Sequence, residues 1–164
     1  MLGRDITVQL RRVHPGLAWE MGKLASGENE FAVSADGDLK VAPVVRRLVA
    51  AAPKIPGWNI VAFRQKDDRA PAAQYGGEQV SRRDLLLGNE IYVKDGQIGL
   101  TLYIQGLEKN NYDGKVGAAV LLLDSVVGEE LAMTKIGSLE YRPWSERKGS
   151  ELHIDELQRV LLTS

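Results

Sequence analysis

The sequence predicts an α+β fold: a mainly antiparallel sheet of about five to six strands with helices packed on one face. Three observations carry this. Residues 41–52 and 113–127 repeat apolar side chains at three- and four-residue intervals, Asp95-Gly96 sits between two strictly alternating segments, and adjacent strands are joined by tight turns. At 164 residues, with 44% hydrophobic and 26% charged side chains, the chain has the size and composition of one globular domain, expected to span 1–164.

The first segment offers two periods. Ile6, Val8 and Leu10 alternate as in a strand, whereas Leu2, Ile6, Leu10 and Val13 share a helical face, and the helix is preferred. After Pro15-Gly16, the alternation of Leu17, Trp19 and Met21 and the segment 30–34 predict two hairpin strands around Ser26-Gly27. Val41, Val44, Val45, Leu48, Val49 and Ala52 then mark a helix that starts near Lys40, so that Pro43 falls in its first turn, and that Pro53 stops. Pro56-Gly57 has the order of a type II turn and leads into a strand over 58–63, apolar on both faces and so expected to be central.

Residues 66–83, with Pro71 and Gly76-Gly77, form a long polar interval expected to be a surface loop or lid. Ser81 and Asp84 have capping-box spacing ahead of Leu85-Leu86-Leu87, which predicts a short helix stopped by Gly88. The Asp95-Gly96 turn sets Lys94 opposite Gln97 and Val93 opposite Ile98, placing Ile91, Val93, Ile98, Leu100, Leu102 and Ile104 on one face. Tyr92, Thr101 and Tyr103 belong to the other, polar face. A deeply buried helix follows from Asp113 or Gly114 to Gly128, then a strand over 136–141 and a terminal helix over 155–162.

The 21 basic and 22 acidic side chains leave a net charge of −1, without the field that draws in nucleic acid or anionic lipid, so neither is an expected partner. The Arg11-Arg12, Arg46-Arg47 and Arg82-Arg83 doublets are separated by acidic residues and predict solvated surface. No cysteine is present, which excludes disulfides and thiolate chemistry and fits a cytoplasmic location. The first residues lack a signal-peptide layout, and no run reaches the roughly 20 apolar residues of a membrane span.

His14 and His153 stand apart, without metal-ligand spacing, and neither a nucleophile elbow nor a phosphate-binding or dinucleotide loop occurs; no metal or cofactor is expected. Asp36-Gly37-Asp38 and Asp67-Asp68 predict turns and caps, not cation loops. The catalytic candidates are carboxylates. Asp124 falls at the rim of the apolar stripe of the 113–127 helix, where it must reach solvent or find donors, and Glu129, Glu130 and Glu20 could act with it in proton transfer. The competing account of Asp124 is a loop cap or an arginine pair, and it is preferred. Trp19 and Trp58 are expected in core packing. Trp144, after Pro143 in a polar stretch, is the aromatic expected at a partner contact, together with Tyr92 and Tyr103.

The segments VHPGLAWE (13–20), AAP followed by GW (51–58) and LLLD followed by GE (121–129) resemble a family of uncharacterised bacterial proteins of similar length. That resemblance implies a bacterial cytosolic domain and a helix for the first segment, and it transfers no catalytic residue. Two functions stay open at this point. The first is a non-enzymatic binding domain for a protein partner or for further copies of itself; the alternative is a small-molecule hydrolase or other acid–base enzyme built on the carboxylates around Asp124.

Overall fold

The computed structural model describes residues 2–88 and 91–163, and among them the α+β class holds, with five helices, ten strands and mostly antiparallel pairing. The chain divides into two compact units, Met1–Gln65 and Lys66–Ser164. The strands form three sheets, two in the second unit and one in the first.

In the first unit, α1 (Leu2–Val13) precedes the antiparallel strands β1 (Ala18–Lys23) and β2 (Asn29–Ser34), with Trp19 paired to Val33 and Met21 to Phe31. The helical period thus prevails in the first segment, although the side chain of Leu2 lies outside the described residues. Trp19 fixes the helix to the sheet: its indole N–H donates to Thr7 Oγ1 at 2.8 Å, its ring stacks on Phe31 at 5.9 Å, and Gly3 leaves room for it. α2 (Ala42–Ala50) then crosses over to β3 (Trp58–Ala62), which runs parallel to β2 with Phe31 beside Ile60. Pro43 sits in the first turn of α2 as predicted.

β3 is an edge strand, not a central one, because β1 already occupies the other side of β2 and the crossover can only deliver β3 to the outside. Its first residues are exposed accordingly.

The second unit begins with a correction. Residues 66–83 are not a free loop, because β4 (Ala72–Tyr75) and β5 (Glu78–Ser81) form an antiparallel hairpin. The turn is Gly76-Gly77, with φ of 56° and 83°, a left-handed pair that suits a two-residue hairpin loop. β6 (Leu85–Leu87) is likewise a strand. The Ser81–Asp84 box exists, with Asp84 Oδ2 accepting from Ser81 N at 2.9 Å, but it caps a single 3-10 turn. Three consecutive leucines then pair in extended form with residues 102–104, where Leu85 and Leu87 are fully buried.

β7 (Tyr92–Lys94) and β8 (Gln97–Ile104) take the predicted register, Val93 opposite Ile98 and Lys94 opposite Gln97, around Asp95 and Gly96 at φ of 53° and 76°. Ile98, Leu100, Leu102 and Ile104 all point into the core, whereas Val93, at the tip, is exposed. α3 (Tyr112–Val127) lies on this face and ends at Gly128, φ 86°. α4 (Glu129–Lys135), which the sequence pattern did not announce, follows at once and turns the chain into β9 (Ile136–Pro143), parallel to β8. β10 (Leu152–His153) adds to β6, and α5 (Leu157–Thr163) closes the core with Leu157 and Leu161.

The hairpin docks on α3 through missing side chains. A Cβ on Gly117 would overlap the ring of Tyr75, one on Gly114 would meet Glu78, and Lys115 Nζ donates to Gln79 O at 2.9 Å.

Candidate functional site

α3 carries Asp124 in its last turn, on the side that faces the core, and Gly128 lets the chain reverse so that Glu129 opens α4 from within. The residues are 5% and 0% exposed, and both are engaged in interactions inside the fold. Glu20 stands on β1 in the first unit, where its carboxylate lies 3.5 Å from Arg64 Nε. Glu130 is exposed on α4. The charge of Asp124 is felt by Tyr141 on β9: burial first, then Tyr112 and Asp124, push the Tyr141 phenol above its usual pKa.

The partner-contact candidates divide differently. Tyr103 is buried, 6% exposed, because its strand position faces Leu86 and Arg142 in the middle of the five-stranded sheet. Trp144 is half-buried rather than free: its indole N–H donates to Tyr103 O at 3.1 Å and the Arg147 guanidinium covers its ring at 4.3 Å. Tyr92 is 60% exposed, yet its ring lies over Gly99, and its hydroxyl shares a hydrogen bond of 2.7 Å with Ser138. It bridges β7 to β9 across a glycine. On the polar sheet face Tyr103 is thus buried, whereas Tyr92 keeps 60% of its surface exposed.

Both histidines act locally. His14 Nδ1 accepts from Gly16 N at 3.1 Å and His153 Nδ1 from Asp155 N at 3.3 Å. Asp38 and Asp67 accept from the backbone of Lys40 and Arg69, the turn roles expected for them.

Two places in the first unit stand out. At the C-terminal ends of the parallel strands β2 and β3, Phe63 and Asp36 adopt left-handed backbone, φ 69° and 51°. Arg64, 8% exposed, reaches Asp36 at 3.0 Å and Glu20 at 3.5 Å. Arg46 lies over the Phe63 ring at 5.1 Å. Asp36 and Glu20 flank the Arg64 guanidinium, so the cluster joins the end of β3 to β1 and to the turn after β2.

At the opposite end lies a groove of about 460 Å³, framed by the end of α2, the connection over 52–57 and the start of β3. Ile55 and Trp58 are 45% and 37% exposed in it, Val49, Pro53 and Pro56 add apolar walls, and Glu28, Lys54 and Asn59 form a polar rim. The loop is held: Trp58 N donates to Ile55 O at 3.1 Å and Asn29 N to Gly57 O at 3.0 Å. Core packing was the expectation for Trp58. At the start of an edge strand, Trp58 stays 37% exposed. The spacing of Pro53 and Pro56 was the available signal, because two fixed φ angles keep a short connection from folding over its own apolar residues.

Neither a protein-family model, nor a curated protein, nor a solved structure matches this chain.

Proposed function

We propose that the chain works by binding a protein partner, not by catalysis, and that the groove around Trp58 receives an apolar side chain of that partner. The half-exposed indole of Trp58 beside Ile55, on a loop fixed by hydrogen bonds and two prolines, is the observation that carries this. An aromatic anchor with a polar rim on a preformed surface is the usual energetic centre of a protein interface. The burial of Asp124 and Glu129 supports binding over acid–base chemistry. The motif resemblance to bacterial cytosolic proteins and the cytoplasmic location belong to this same proposal.

The test is affinity capture with the full chain, wild type against Trp58→Ala and Trp144→Phe, followed by titration of the captured protein in purified form. The expected result is one partner held by wild type and by Trp144→Phe, with at least a tenfold loss for Trp58→Ala, the size of a hot-spot truncation of about 2 kcal/mol. Equal affinity of all three proteins for every captured partner would refute the role of the groove.

A further inference from the structure

We infer that β9 is a self-association strand, pairing antiparallel with β9 of a second copy of this chain. β9 runs the whole length of one edge of β8, whose other edge is shared by β6 and β7, and among the described residues no strand pairs with the outer edge of β9. Beside that edge lies a groove of about 480 Å³ lined by every residue from 139 to 143, with Tyr112 and Glu146 completing it. Side chains alternate between the two faces of a strand, so five consecutive residues in one wall mean that the backbone edge itself is the wall. Tyr112, 43% exposed, stands where it can cover a strand laid into the groove.

The charge pattern selects the occupant. Glu140 and Arg142 are two apart, hence on one face, and both are exposed. Antiparallel pairing centred on Tyr141 puts each Glu140 opposite Arg142 of the other copy, two identical complementary pairs related by a twofold axis. Parallel in-register pairing would instead place like charges opposite each other. Within one chain Arg142 already contacts Glu140 and Glu146, both at 3.2 Å, so its guanidinium is turned along this surface. Pro143, which lacks an N–H, ends the paired segment. A net charge of −1 leaves little long-range repulsion between copies.

Sedimentation of the full chain tests this with a charge swap. Wild type is expected to show a concentration-dependent dimer, while Glu140→Arg and Arg142→Glu, each of which makes the strand single-signed, dimerise at least tenfold more weakly. An equimolar mixture of the two variants is expected to regain the dimer, since basic and acidic strands then face each other. The helical circular dichroism of each variant confirms folding, and Glu140→Gln with Arg142→Gln replaces any variant that fails, with weakened dimers expected again. A wild type that stays monomeric up to about 1 mM, the weak limit of specific association, would overturn the inference. So would a dimer indifferent to both reversals, or a mixture that remains monomeric.

Discussion

Replacing Phe63 by alanine and by glycine should reverse the usual order of those two residues. Phe63 sits at φ 69°, is 2% exposed, donates its N–H to Val33 O at 2.7 Å and lies under the Arg46 guanidinium. Either substitution removes the ring, at about 3–5 kcal/mol for a buried phenylalanine. They differ in the backbone. Alanine keeps the left-handed conformation, which costs an L-residue roughly 1–2 kcal/mol, whereas glycine is free of that cost but gives up about 0.4–1 kcal/mol through its larger freedom in the unfolded chain. The difference leaves Phe63→Gly more stable than Phe63→Ala by about 0.5–1 kcal/mol, against the normal preference for alanine. Urea unfolding, followed through the indole N–H resonance of Trp19, reports on this unit because that proton is bonded to Thr7. With a slope of about 1–3 kcal/mol per molar urea, the glycine variant should unfold a few tenths of a molar later. An alanine variant as stable as the glycine variant, or more so, would refute the strain assigned to residue 63.

A second inversion is expected at Gly117. Glycine to alanine within a helix ordinarily gains about 1 kcal/mol, but here the new methyl displaces the Tyr75 ring, so the gain should vanish and the amides of residues 72–81 should exchange faster while those of α3 stay protected. Tyr141 supplies a pH test. Its phenol is raised above the ordinary value of 10.0, so the folded state holds its proton after the unfolded state has released it, and stability should fall as pH climbs past about 10. Ultraviolet titration should show a tyrosine ionisation step above the ordinary phenol range, and Tyr141→Phe should remove that late step and flatten the alkaline loss. A late step that survives the substitution would assign it elsewhere.

Much of the fold was legible because the signals were local. Asp95-Gly96 fixes its own turn geometry, and that geometry fixes which side chains meet across the hairpin. Pro43 and Pro53 bracket a helix through their own φ angles, and Gly128 ends another by going left-handed. The residues that misled did so through partners distant in sequence. Three leucines after a capping box can begin a helix or fill a strand, and only the vacancy between β8 and β10 decides for the strand. The polar segment around Gly76-Gly77 becomes a docked hairpin because Gly114 and Gly117, far along the chain, offer it a surface without Cβ atoms.

The candidate sites follow the same division. Composition and patterning by themselves determined the α+β class, the main helices, the sharp turns and the absence of thiol chemistry. Whether a given polar or aromatic group faces solvent belonged to the tertiary structure. Asp124 and Trp144 each have a sequence neighbourhood that permits exposure, but one is buried in the last turn of α3 and the other donates its N–H to a neighbouring strand. Trp58 has a neighbourhood that permits burial, and the crossover that delivers β3 to the edge of its sheet leaves it open. Periodicity tells which residues share a face; what covers that face is set by long-range packing, because burial is a property of the neighbours and not of the residue.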